Sequence, residues 1–272
     1  MYTRSVDVTL FTYSVFFFSQ QLNFPRFIHI RLQTISAPAA LNIKIVSEEI
    51  DKIFPSCKID IRPSFTYDEK MIEQARIVDL KQPFERQRNQ EQGSSGSCML
   101  EIPLYDGFVM QRIFAEMIPD SEMSLEHIHI IFTALLPCTF SEDDWRYHGR
   151  AVICGTPSII STTGIVEAPA KPREYYLSQL GSITEDTANL KKKFAGRFID
   201  YDDEEKITAA AIHYILQAIF FFIGEGEPFC NDRDCSLFNA HWQEDLIHTI
   251  EKRTLCTYHR NMANKFLRSV KG

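Results

Sequence analysis

Four residues near the end of this 272-residue chain have the type and spacing to hold a metal ion. Cys230 and Cys235 have four residues between them, and twenty residues further on Cys256 and His259 follow with two between them. Two close pairs of thiolate and imidazole ligands, separated by an insert long enough for a helix, are what a tetrahedral structural zinc site requires. The spacing therefore predicts one Cys3His zinc per chain. The alternative readings are cysteines buried as small hydrophobes, or a disulfide. Cys57, Cys98 and Cys138 are scattered and Cys154 sits in an apolar run. That usage fits a reducing compartment and disfavours a disulfide framework.

Other residues that could carry chemistry are spread along the chain. His127 and His129 lie two apart in HIHIIFT, on one face of an expected strand, which is a ligand geometry only if a third group joins them. His213 and Gln217 lie one turn apart on an expected helix, where the simpler reading is a core histidine hydrogen-bonded to a neighbour. In NAHWQED, Asn239, His241 and Glu244 come near the cysteine pairs, with His241 and Glu244 three apart on one face of an expected helix. His213, His241 and Glu244 are thus the candidates for a relocated metal site. Trp242 is expected to anchor the packing of the cysteine knuckle. Ser161, Thr162, Thr163, Glu167, Lys171 and Arg173 follow an apolar strand and suit either a ligand or a capped turn.

These residues must be positioned by regular elements. Phe27 to Thr34 alternates apolar and polar residues as a half-buried strand does, Ala37 to Phe54 has helical spacing closed by Pro55, and Cys57 to Ile61 alternates again. Strand, helix, strand with short joins predicts a βαβ unit. Tyr67 to Leu80 reads as an amphipathic helix, and residues 81–97 as an exposed loop too polar to pack. Phe108 to Ile118 suits helix or strand. The stretch from Arg146 reads as two short strands followed by a turn at Gly164, and Pro172 to Phe194 reads as a helix. Acidic residues from Asp200 to Glu205 suit a helix N-terminus, and Lys206 to Ile223 is apolar nearly all round, as a buried central helix would be.

With 44% hydrophobic and 24% charged residues the chain can bury a sizeable core. A net charge of −7 argues against nucleic acid as a partner, and no run of eighteen apolar residues was found, so no membrane span is expected. Residues 1–26 resemble a secretory signal only superficially, since Asp7 interrupts them and no small-residue cleavage site follows Phe18. They are expected to be an N-terminal extension outside the native fold, and the protein is expected in the cytoplasm.

A buried helix followed by glycine, C-x4-C and a distal C-x2-ligand resembles the archaemetzincin family of zinc metallopeptidases. Their pattern, HExxHxxGxxHC-x4-C with a later CxxC, binds a catalytic zinc through three histidines, uses the glutamate as general base and holds a structural zinc on four cysteines. Cys230, Cys235 and Cys256 match the first three cysteines, and His259 stands in place of the fourth. GEPFC, LFNAHWQEDLI and GTPSIISTTGIVEAPAKPREYY also look like an archaeal family described as metallopeptidases, over most of Phe27 to His259. The catalytic half does not carry over. In that register Gly226 matches, but the three ligand positions fall on Ile219, Ile223 and Phe229 and the base on Phe220. A shifted register keeps His213 alone, with Tyr214 and Gln217 at the next two positions of the motif.

The resemblance implies an α/β (α+β) fold, a mixed sheet with packed helices, metzincin-like, ending in a zinc-stabilised helical segment. Residues 27–272 would form its single domain. The first expectation is a homologue that keeps the structural zinc, lacks the catalytic motif and binds a peptide or protein. The alternatives are an active zinc hydrolase using His213, His241 and Glu244, and a scaffold without a cleft.

Overall fold

The computed structural model describes residues 28–35, 40–65, 67–87, 102–181, 189, 192–224, 226 and 228–271. The expected extension over 1–26 and most of the expected loop over 81–97 lie outside these residues.

The first strand, β1 (His29–Ile35), leads into helix α1 (Ile43–Ile53) and returns in β2 (Lys58–Ile61). β1 and β2 pair in parallel, so the βαβ unit forms as its periodicity predicts. α1 begins at Asn42, whose side chain accepts from the Ile45 amide, and it ends at Phe54 just ahead of Pro55. The expected helix from Tyr67 to Leu80 is a correction. Only α2 (Glu69–Glu73) is helical, because the chain beyond it bonds sideways to the next strand: Ile77 N donates to Leu104 O and Asp106 N to Ala75 O. A short α3 (Phe84–Gln87) and β3 (Leu104–Asp106) follow.

The ambiguous segment from Phe108 is helix α4 (Gly107–Ala115), decided by Asp106, whose carboxylate caps the Phe108 and Val109 amides. β4 (His127–Thr133) lies where the sequence places it. β5 (Leu136–Ser141), β6 (Arg146–Gly149), β7 (Val152–Ile153) and β8 (Ser158–Ser161) complete the strands. Gly164 makes no turn, contrary to expectation. It sits inside α5 (Thr162–Glu167), where an added Cβ would overlap Arg150 O and come within 2.8 Å of Ala151 Cα. Close backbone approach is therefore what requires glycine there.

The main sheet has the order β2-β1-β4-β8-β7, parallel except for the short β7 at its edge, and β3-β5-β6 forms a second, mixed sheet. After α6 (Arg173–Gly181) come α7 (Glu204–Ile223), α8 (Gln243–Lys252) and α9 (Thr257–Lys271). Period-two alternation divides the main sheet between two cores. Ile28, Ile30, Leu32, Ile128, Ile130 and Phe132 face α1, α7, α8 and α9, while Ile35, Ile131 and Ile159 face α4 and the second sheet. The α/β class with a mixed sheet and packed helices is thus as expected.

α7 starts at Asp203, which caps the Lys206 amide, with Glu204 and Glu205 in the first turn where the helix dipole favours acids. Thirteen of its twenty residues are buried, which explains why its sequence is apolar all round. It is the described helix long and apolar enough to cross a membrane, contrary to the sequence reading that none would be, yet 72% of its apolar window is buried inside the fold. Its packing is that of a core helix.

Candidate metal centre

α7 ends at Gly224 and delivers the chain into a loop that carries the first ligand pair. Two isolated bridges fold this loop: Cys230 pairs with Phe238, and Cys235 pairs with Thr254 beyond α8. The second bridge is closed by Ser236 N donating to Thr254 O at 2.6 Å. Since Thr254 stands two residues before Cys256, this bond brings the two ligand pairs together. His259 then falls in the first turn of α9 and points back into the fold, 4% exposed, with its ring edge-on to Phe220 of α7.

The ligand atoms of Cys230, Cys235, Cys256 and His259 all lie within 4.8 Å of one another. Cys230 Sγ is 3.9 Å from Cys256 Sγ, and His259 Nδ1 is 3.6 Å from Cys235 Sγ and 3.2 Å from Cys256 Sγ. Metal–ligand bonds of about 2.3 Å to sulfur and 2.0 Å to nitrogen, at tetrahedral angles, require S···S near 3.8 Å and S···N near 3.6 Å. The four atoms fit one zinc ion. A disulfide needs about 2.05 Å between sulfurs, so the 3.9 Å separation is not a bond.

The surroundings also suit a cation. Backbone amides donate to the sulfurs, Asp232 N to Cys230 and Cys256 N to Cys235, both at 3.4 Å. Burial pushes the Cys235 thiol up to about 12 and raises that of Cys230. For Cys256 burial acts the same way, but hydrogen bonds from the His259 and Tyr258 amides and the two other thiols outweigh it and hold the thiol below its usual value. Burial holds His259 below the usual imidazole value, which keeps it neutral and able to ligate. Two thiols held protonated in an apolar setting become thiolates when a cation takes their protons' place.

The other candidate residues are not gathered. His213 is 3% exposed, and its Nε2 accepts a hydrogen bond at 3.1 Å from Gln217, which also donates to Phe238 O. It is a core histidine, and burial depresses its pKa to about 4. His241 lies upstream of α8 rather than on it, which corrects the expected shared helix face with Glu244. Ala170 N donates to His241 O and Gln243 N to Ala170 O, both at 2.8 Å, so Trp242 is held extended between them and the helix starts only at Gln243. Glu244 is exposed and pairs with Arg197 at 2.7 Å. Trp242 stands 44% exposed, so it does not anchor the knuckle. Its neighbour Gln243 is fully buried and fixes the start of α8: it donates to Ile165 O and Val166 O and accepts from the Ile199 amide.

His127 and His129 do share a strand face, joined by His29, which the sequence reading missed and which the parallel register places opposite His127. The His29 and His127 rings are 5.2 Å apart, and those of His127 and His129 6.0 Å. His129 donates to Glu122 O, and Arg31 between them pairs with Asp60 and Glu122. Among the described residues this trio does not come within ligand reach as the cysteine cluster does. The polar run after β8 opens a capped helix rather than a turn: Ser161 caps α5 at the Gly164 amide and donates to Leu135 O, and Thr163 donates to Ala134 O.

A family model described as "Probable metallopeptidase family (DUF6775)" matches residues 27–266. Among solved structures the chain is similar to archaemetzincin from Methanopyrus kandleri, with 10% sequence identity, a TM-score of 0.44, and coverage of 91% of this chain and 97% of that one. No curated protein matches the chain.

Proposed function

The chain belongs to that probable metallopeptidase family, and we propose that it is a homologue that keeps a structural zinc and binds a peptide or protein without cleaving it. The ligands are Cys230, Cys235, Cys256 and His259. The observation that supports this reading is the make-up of α7 where the resemblance to archaemetzincin calls for a catalytic zinc: Ile219, Phe220 and Ile223 are buried in the apolar core.

Hydrolysis at zinc needs about three protein ligands, an open coordination position and a base to take the proton from water. The four protein ligands would close the shell around the ion, so a zinc bound there supplies a cross-link and no Lewis-acid chemistry. Its physical effect is to tie the end of α7, the loop after it, the end of α8 and the start of α9 at one point. His213 takes no part, because it is buried and engaged with Gln217.

Metal analysis of the chain purified without chelators tests the reading. One zinc per chain is expected, retained in His213→Ala and lost in Cys235→Ser, with no peptide cleavage in any form. A second, exchangeable metal accompanied by cleavage that disappears in His213→Ala or Glu244→Ala would overturn the non-catalytic part. A chain without zinc would overturn the metal part.

A further inference from the structure

The metal cluster borders a cavity of about 300 Å³ lined by Ile53, Leu216, Ser236, Arg253, Thr254, Leu255 and Arg260. We propose that this cavity binds the C-terminal residue of a peptide, its carboxylate held by Arg253 and Arg260 and an aliphatic side chain seated against Ile53 and Leu216.

The two arginines are fixed in place without being neutralised. Arg253 ends α8 in the left-handed conformation, φ 49°, a position that ordinarily takes glycine. Its Nε donates back to Ile250 O at 3.0 Å, and Arg260 Nη2 donates to Leu255 O at 3.0 Å. Each guanidinium thereby spends one N–H on a backbone carbonyl and keeps the others. Neither has an acidic partner within 4.0 Å among the described residues, although Glu49, Glu204 and Glu205 line the next cavity, which Arg253 also borders. Two anchored, unpaired guanidiniums beside one cavity in a chain of net charge −7 make a local site for an anion.

The cavity floor points to the same ligand. Ser236 is 5% exposed and lines the cavity. Leu216, also 5% exposed, and Ile53 supply the apolar wall. A cavity of about 300 Å³ is at the small end for ligand sites, which suits one residue rather than a nucleotide. An apolar wall beside planar, fork-shaped donors favours a carboxylate on an aliphatic body over phosphate, whose oxygens need polar partners on all sides. The site stands apart from the non-catalytic reading, since a peptide end could be held by an active or an inactive homologue.

The test is amide NMR of the zinc-loaded chain titrated with N-acetyl-leucine. Saturable shifts are expected at Ser236, Thr254 and Leu255. Arg253→Gln or Arg260→Gln should each weaken binding about tenfold or more, as loss of a charge-assisted hydrogen bond does. Ser236→Ala should weaken it by a smaller factor. Zinc content and the rest of the spectrum, unchanged in the arginine variants, certify the fold. Three results would overturn the proposal: N-acetyl-leucinamide binding as well as the acid, inorganic phosphate binding as well as the acid, or shifts that survive both arginine variants. Free leucine binding equally well would assign the cavity to an amino acid and overturn the peptide-end reading. Each of these outcomes leaves the zinc and cleavage measurements above as an independent result.

Discussion

His213→Gln should remove a defined part of the acid sensitivity of this fold. His213 is buried and neutral: its Nε2 accepts from Gln217, and burial depresses its pKa from 6.5 to about 4. A base whose folded pKa lies below its unfolded value stabilises the fold fully above the unfolded pKa. That contribution is lost as pH falls from about 6.5 toward about 4. A gap of about 2.5 units at 1.36 kcal/mol per unit amounts to about 3 kcal/mol. For a domain of this size 1 kcal/mol moves Tm by about 2–4 °C. The wild-type chain should therefore lose some 6–12 °C more than His213→Gln between pH 7 and pH 4, by the same factor. His129 and His259, also depressed by burial, contribute a shared background that the difference cancels. Calorimetry of both proteins across that range is the assay. Parallel Tm curves would mean that His213 is not held neutral by its burial, and would reopen it as a ligand.

Other outcomes follow from the same geometry. Chelation should lower Tm by about 8–16 °C if metal is present at about 1,000 times its Kd, since that linkage is worth about 4 kcal/mol. Cys235→Ser should show the low Tm with no response to chelator. Gly164→Ala should destabilise by about 3 kcal/mol or more in chemical denaturation, because the added carbon meets the rigid backbone of Arg150 and Ala151 rather than a side chain that could turn away. Glu244→Gln should leave zinc content unchanged and alter stability by less than about 1 kcal/mol, as expected for its exposed pair with Arg197.

Some of this was legible residue by residue. The apolar run in His127 to Thr133 is that of a strand covered on both faces, so the composition itself gives the strand. α7 was legible as a helix from its all-round apolar sequence, with Asp203 marking the start, and its burial in the fold agrees with the expected central helix. Other elements were misread because a distant partner decided them. Residues 74–80 carry helical spacing, yet the Ile77 amide donates to Leu104 O and Ala75 O accepts from the Asp106 amide. His241 and Glu244 lost their common helix face to the single pairing with Ala170.

The chain's own text therefore determined the candidate ligand types and their spacing, since these depend only on which side chains stand at which positions. Tertiary structure alone decided that Cys230, Cys235, Cys256 and His259 meet, because the Ser236 to Thr254 bond and α8 close a loop whose ends carry no mark of each other. It also decided that Arg253, Arg260 and Ser236 surround one cavity. Spacing along a chain encodes reach. Convergence of separate segments comes from the packing of α7, α8 and α9 against a shared core, which no local pattern records.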